Sequence, residues 1–204
     1  MIAIIDYGVG NLFSVEKAFA RFADDVKLTS AINDIKQADK LVLPGVGEFG
    51  ACMGNFMASG LMDTVLERIK AGVPLFGICV GLQILFEGSE ESPEAEGLGI
   101  FKGMVKRIVA PGLKIPHMGW NSVEFSQPSL PLFDNLSENP YVYFVHSYHA
   151  VPEDKSIVAA TTQYGEALTA AVARDNVMAT QFHPEKSGDV GLQLIKNFVD
   201  WKCE

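Results

Sequence analysis

A chain of 204 residues, 48% hydrophobic and 20% charged, carries enough apolar material for one substantial core and predicts a single globular domain spanning residues 1–204. Its net charge of −9, with no basic cluster to interrupt it, excludes an electrostatic nucleic-acid binder, and no apolar run reaches the ~18–20 residues of a membrane span. Three cysteines with no C-x-x-C spacing offer neither a disulfide framework nor a metal site, so Cys52 and Cys203 read as ordinary thiols.

Met1 to Ile5 reads as a buried strand with no signal-peptide layout before it, from which a cytoplasmic protein is expected. The strand runs into Asp6-Tyr7-Gly8-Val9-Gly10-Asn11. The Gly-Val-Gly hints at a dinucleotide loop, but Phe13 stands where the third glycine should be, and no cofactor is expected. Asn11 can cap a helix with Leu12, Val15, Phe19 and Phe22 on its apolar face. A short strand near Val26 to Leu28, a polar helical turn from Ala31 to Ala38 and a strand from Lys40 to Leu43 follow. This alternation predicts an α/β protein built on a parallel-type sheet.

The strand ending at Leu43 enters PGVGEFG, Pro44 to Gly50, whose three glycines predict a loop that presents backbone rather than side chains. Loops at the carboxyl ends of strands line the ligand crevice of open α/β sheets, so an amide here is placed to hold an oxyanion; a tight turn with no ligand is the alternative. The peptide between Gly45 and Val46 can turn over at little steric cost on the glycine side, a way for a partner to gate the site.

Helical patterns at Ala51 to Met57 and Leu61 to Lys70 lead to PLFGICVGLQILF, Pro74 to Phe86. This reads as a buried strand turning sharply into a helix that carries Leu82, Leu85 and Phe86, with Cys79 at the corner between Gly77 and Gly81. Such a corner pushes the thiol out toward a substrate, and a helix N-terminus favours its thiolate; a buried structural cysteine fits the same pattern. The base is found in QFHPEKS, Gln181 to Ser187. Residues two apart on an extended chain face one side, so Glu185 can fix the tautomer of His183 and steady the imidazolium formed when His183 takes the thiol proton.

After the elbow, the acidic loop Gly88 to Gly97 reads as solvated surface, with Glu90 or Glu91 near enough to the cysteine to hold a substrate ammonium. From Met104 onward strands prevail, at Met104 to Val109, Trp120 to Phe125, Tyr141 to His149 and Ile157 to Thr162, with a strand pair around Arg174-Asp175-Asn176. This half of the sheet is expected to be antiparallel. PHMGWN, Pro116 to Asn121, reads as turn-prone, and FVHSYH, Phe144 to His149, ends a strand with polar and aromatic groups. A last helix, Gly188 to Lys202, packs through Leu194, Ile195, Phe198 and Val199.

With PGVG, GICVGLQ and HPE in that order, the whole chain resembles the class I glutamine amidotransferases, and the pair PHMGWN and FVHSYH narrows the likeness to the glutaminase subunits of imidazole glycerol phosphate synthases. The resemblance implies a three-layer α/β fold, a mixed and mostly parallel central sheet flanked by helices. It implies hydrolysis of L-glutamine to glutamate and ammonia by a Cys79-His183-Glu185 triad, with the amides of Val46 and Val80 as oxyanion donors. Gly47, Gln83, Glu91, His146 and Ser147 would then hold the substrate. It further implies a heterodimer with a (β/α)8-barrel cyclase, which uses the ammonia to make imidazole glycerol phosphate and AICAR in histidine biosynthesis and is met at Asn11, Trp120, Tyr143 and Lys186. The competing readings are a related glutaminase serving another synthase, and a triad-bearing fold used only for binding; the intact Cys79, His183 and Glu185 weigh against the second. One local departure is Glu48 after PGVG, at a position where the family varies.

Overall fold

Strands buried on both faces need helices on both sides, and four of them are almost wholly buried here: β1 (Ile2–Ile5), β3 (Lys40–Gly45), β4 (Leu75–Cys79) and β13 (Val177–Thr180). The computed structural model describes residues 1–202, so Cys203 lies outside the described residues. With β2 (Val26–Thr29), these strands form the parallel part of an eight-stranded sheet, in the order β2-β1-β3-β4-β13. Beyond β13 the sheet continues antiparallel through β12 (Glu166–Arg174), β11 (Val158–Tyr164) and β8 (Glu124–Phe125).

Helices α1 (Leu12–Phe19), α2 (Ile32–Gln37), α3 (Phe49–Ala58), α4 (Met62–Lys70) and α6 (Gly188–Asp200) flank the sheet. Phe19 of α1 and Phe198 of α6 meet Phe76 of β4 at ring separations of 6.4 and 5.0 Å, so aromatic packing fixes those two helices to the central strand. Lys40 reaches from β3 to the carbonyls of Phe198, Val199 and Trp201 at the C-terminal end of α6, where unpaired carbonyls welcome a cation. Two smaller layers complete the chain. One is a three-stranded sheet in the order β10 (Tyr148–Pro152), β6 (Gly103–Arg107), β5 (Gly88–Ser89); the other is a ribbon of β7 (His117–Ser122) with β9 (Tyr141–His146). No helix among the described residues is long and apolar enough to cross a membrane.

Several local expectations need correction. The helix after Cys79 is one turn, α5 (Val80–Gln83), rather than a helix running through Phe86. Past Gln83 the turns tighten, with Leu85 donating to Leu82 and Phe86 to Gln83, and the carbonyls of Ile84, Leu85 and Phe86 are taken by Leu98, Phe101 and Gly99 from further along the chain. PHMGWN is a strand, since Trp120 lies opposite Tyr143 and His117 opposite His146 in the β7–β9 register. The single strand expected from Tyr141 to His149 breaks at Ser147, where the chain leaves one layer for another. Asn11 stands at the start of α1, but its side chain makes no capping bond; its carbonyl accepts from Ser14 and Val15. The acidic loop is not all solvated surface, because Ser89 and Ser92 are buried.

Gly81 and Gly54 separate two uses of glycine. A Cβ on Gly81 would lie 1.9 Å from the Leu43 carbonyl oxygen, whereas one on Gly54, exposed in α3, would meet nothing within 4 Å. Gly81→Ala is expected to lose about 3 kcal/mol or more through backbone overpacking. Gly54→Ala should gain roughly 0.5–1 kcal/mol from reduced unfolded-state entropy. Urea unfolding of both variants checks the pair; equal effects would show that the β3–α5 contact yields easily.

Candidate active site

Adjacent parallel strands end on one edge of a sheet, and the register here brings three chain segments together on that edge. Gly45 of β3 pairs with Cys79 of β4, and Ile78 pairs with Thr180 of β13, three residues before His183. Cys79 holds φ +56° and ψ −112°, a conformation that a side-chain-bearing residue adopts only under constraint. The constraint is close packing. A Cβ on Gly77 would meet Ala179 Cβ at 2.9 Å, and one on Gly45 would meet the Gly81 amide nitrogen at 2.6 Å. Glycine at position 45 is therefore required by contact with the elbow, a second demand on this residue beside the turnover expected of the Gly45–Val46 peptide. The positive φ in this loop belongs to Gly47, at +91°.

Cys79 is 4% exposed and lines a pocket of about 700 Å³, so the elbow turns its thiol to a sheltered wall rather than out into solvent. With only one helical turn behind it, little macrodipole is available to favour the thiolate. Support comes from His183. Its Nδ1 lies 2.8 Å from Glu185 Oε1, with the two side chains 3% and 1% exposed, which leaves Nε2 for the Cys79 sulfur. Burial opposes a charge on the imidazole, but hydrogen bonds to Cys79 and Glu185 and the charges of both outweigh it and raise His183 to about 9. Ser187 pins this segment, because its hydroxyl donates to the His183 carbonyl at 2.7 Å and accepts from the Tyr143 amide at 2.9 Å.

The oxyanion candidates Val46 and Val80 both line the pocket beside Cys79, as does Gly47. Their loop is braced from beneath, where Tyr7 Oη donates to the Pro44 carbonyl at 2.6 Å and Cys52 Sγ to the Val46 carbonyl at 3.3 Å. Burial pushes the Cys52 thiol up to about 11. Gln83, Glu91, His146 and Ser147 all face the same pocket. Gln83 spends its Nε2 on the Tyr148 carbonyl and on Gln181 Oε1, both at 3.0 Å, so its remaining acceptor is Oε1.

His146 is engaged at both ring nitrogens. Its Nδ1 sits 2.9 Å from the Tyr148 carbonyl, which can only accept, so Nδ1 carries the proton and Nε2 accepts from His117 Nδ1 at 2.9 Å. His117 Nε2 in turn accepts from Asn121 Nδ2 at 3.2 Å. Burial lowers His146 to about 3 and His117 to about 4, so this chain stays neutral. Consequently His146 can offer a ligand its backbone or ring edge, but no free ring nitrogen.

Among the residues expected at a partner surface, Asn11 and Lys186 reach the pocket lining. Trp120 is 55% exposed and packs on Tyr143 with ring centroids 6.3 Å apart. Exposed Phe13, Met118 and Tyr141 add to the apolar surface of the chain. Sequence reasoning passed over Gln181, which is fully buried with Nε2 3.8 Å from Cys79 Sγ. The signal was present, since Gln181 stands two residues before His183 and so on the same side of an extended segment. Among the described residues no cluster of three or more His, Cys, Asp or Glu is arranged to hold a metal ion.

The sequence model of the family "Glutamine amidotransferase class-I" matches residues 3–201. The chain is 51% identical to imidazole glycerol phosphate synthase subunit HisH of Syntrophotalea carbinolica, over 98% of this chain and 100% of that protein. It is 52% identical to the subunit of the same name from Thermosynechococcus vestitus, over 97% and 95% of the two chains. Among solved structures, one described as a glutamine amidotransferase superposes with a TM-score of 0.74 at 20% identity, covering 98% of this chain and 100% of that one. PurLQS of Thermotoga maritima superposes at 0.71 with 18% identity, covering 98% and 97%. At such identities these structures speak for the fold.

Two measurements follow from the electrostatics. Iodoacetamide at pH 8 should alkylate Cys79 much faster than Cys52, whose raised proton affinity and burial keep it a thiol; peptide mapping reads this, and equal labelling would contradict it. Because the folded value for His183 lies above the ordinary 6.5, its stabilisation is complete below pH 6.5 and drains away as pH rises through about 9. Cys79→Ala removes the largest attraction on that proton, so the alkaline loss of stability between pH 6.5 and 9 should shrink in the variant. Parallel losses in the two proteins would show that Cys79 does not hold the His183 proton.

Proposed function

The chain belongs to the class I glutamine amidotransferase family, and from that premise we propose that it is the glutaminase subunit of an imidazole glycerol phosphate synthase in histidine biosynthesis. The observation that carries the reading is the sheltered Cys79-His183-Glu185 constellation, in a chain about half identical, end to end, to subunits of that name.

In the proposed reaction Cys79 Sγ attacks the side-chain carboxamide carbon of L-glutamine and its proton passes to His183, whose raised proton affinity favours the transfer. The carboxamide oxygen gathers negative charge between the Val46 and Val80 amides, the fixed donors such an intermediate requires. When the intermediate collapses, the carbon–nitrogen bond breaks and His183 gives its proton to the departing ammonia. The thioester left on Cys79 is cleaved by water activated by the same imidazole, which releases glutamate and restores the thiol. Glu185 orients His183 throughout and steadies its charged form. Gly47, Gln83, Glu91, His146 and Ser147 are assigned to holding the substrate, with Glu91 taking the α-ammonium and His146 contributing through its backbone.

Ammonia released into neutral water would be protonated and lost as a nucleophile. A partner is therefore needed, and the reading assigns it to a (β/α)8-barrel cyclase in a heterodimer, docked over the pocket mouth at Asn11, Trp120, Tyr143 and Lys186. The apolar exposure of Trp120 supports that assignment. No cofactor enters the scheme, and a cytoplasmic location accords with a biosynthetic role.

Glutamine hydrolysis by the chain with and without the cyclase and its ribonucleotide is the direct test. Hydrolysis should be slow alone and strongly accelerated in the loaded complex; full activity in the isolated chain would remove the case for partner control. Cys79→Ala should abolish hydrolysis while ammonium salts at raised pH still support cyclisation by the complex, and residual glutaminase activity would discard the nucleophile. Glu185→Gln keeps the shape of the orienting group and loses its charge, so its kcat should fall less than that of His183→Ala, which loses the proton carrier itself. An unchanged rate in Glu185→Gln would remove Glu185 from the triad.

A further inference from the structure

The loop that offers Val46 and Gly47 to the pocket continues directly into α3, and the first amides of that helix are satisfied in an unusual way. Glu48 holds the N-cap position, yet its side chain makes no capping bond to the helix. Instead the Phe49 amide donates to Glu91 Oε2 at 2.9 Å and the Gly50 amide to Ser92 Oγ at 3.0 Å, both from a segment 42 residues further along. The Ser92 hydroxyl, while accepting from Gly50, donates to Glu48 Oε1 at 3.0 Å, so both its hydrogen-bonding capacities face the loop. Ser92 is 1% exposed, and a Cβ on Gly50 would lie 2.8 Å from its Oγ, so the two segments touch with no room for a side chain or water between them. Glu91 itself is held by its own amide, which donates to the Ser89 hydroxyl at 3.1 Å.

We propose that Ser92 and Glu48 form a positioning latch that fixes the start of α3, and with it the Val46–Gly47 backbone, against Cys79. The latch also gives Glu48 a role. Its carboxylate orients the Ser92 hydroxyl so that a lone pair is left for the Gly50 amide. Glu91 bonds the neighbouring Phe49 amide and also lines the pocket, so the element proposed to meet the substrate ammonium and the element proposed to meet the oxyanion join at the start of α3, Glu91 through a bond of its own. The proposal rests on the glutaminase reading, because the loop matters to rate only if an oxyanion forms beside it.

The test separates positioning from bracing by using two reactions of Cys79. Glutamine hydrolysis builds an oxyanion, whereas alkylation by iodoacetamide displaces iodide at a saturated carbon and builds none. In the complex with the cyclase and its nucleotide, Ser92→Ala should lower kcat about tenfold, less than the ~10²–10³ lost when an oxyanion donor is removed outright. KM should stay within about twofold, and so should the alkylation rate of Cys79, by the reasoning that only oxyanion chemistry needs the loop. Glu48→Gln keeps an acceptor oxygen and should retain wild-type kcat, while Glu48→Ala should resemble Ser92→Ala and carries the test if that variant fails to fold. A kcat within twofold of wild type in both alanine variants overturns the latch, as does a matching fall in hydrolysis and alkylation, the mark of a structural brace. Absence of hydrolysis in the wild-type complex would overturn the functional reading and the latch with it, so the two failures are told apart by that control.

Discussion

Everything at the site depends on the parallel register of three strands, β3, β4 and β13. Parallel neighbours point their carboxyl ends the same way, so a loop, a thiol and an imidazole from residues 45–47, 79 and 183 meet without any long-range side-chain search. The register is made tight by missing Cβ atoms. Gly45, Gly77 and Gly81 interlock at 2.6, 2.9 and 1.9 Å from the nearest neighbouring atoms that a Cβ would meet. The energy that holds Cys79 at positive φ comes from this interlock and from the buried strands around it, Leu41 to Leu43, Leu75 to Ile78 and Val177 to Thr180.

The same constraint explains what was legible from residues alone. Motifs whose chemistry is local read directly, as in the Gly-x-Cys-x-Gly corner and the His-x-Glu pair, because a two-residue spacing already fixes which side chains are neighbours. Alternating strands and helices in the first half gave the parallel sheet for similar reasons. What escaped was decided by partners far along the chain. The carbonyls just past the helix after Cys79, at residues 84–86, are bonded by residues 98–101 that return to them, and PHMGWN is a strand because Tyr141–His146 lies beside it. Neither contact leaves a mark on a periodicity plot. Ser92 was missed for a different reason, since a buried hydroxyl has many ordinary structural uses and nothing in spacing singles it out; Gln181 does share a face with His183 by its spacing, but an amide carries no titrating or nucleophilic chemistry to draw notice.

Hydrogen-bond direction adds a layer that composition cannot. The chain Asn121, His117, His146, Tyr148 carbonyl runs one way only, set at its end by an acceptor that has no proton to give. His117 is also sandwiched between Phe144 and Tyr164 at ring separations of 4.6 and 4.2 Å, which fixes its plane. The strands His117–Ser122 and Tyr141–His146 thus put one ribbon to two uses. His117 and His146 stiffen the end beside the pocket, and Trp120, packed on Tyr143 further along, faces solvent.

Two histidines lining or adjoining one pocket with opposite proton affinities show how the division of labour is enforced. Burial acts on His146 and His183 alike, but His146 meets a carbonyl and a neutral imidazole, whereas His183 meets a carboxylate and a sulfur. Desolvation therefore wins at the first and loses at the second. The charge on each further separates them, because a proton on His183 repels one on His146. With the neighbouring ring locked neutral, a proton lifted from Cys79 has one place to go within the triad, and the wall of the pocket keeps its donor and acceptor pattern while the charge on His183 comes and goes.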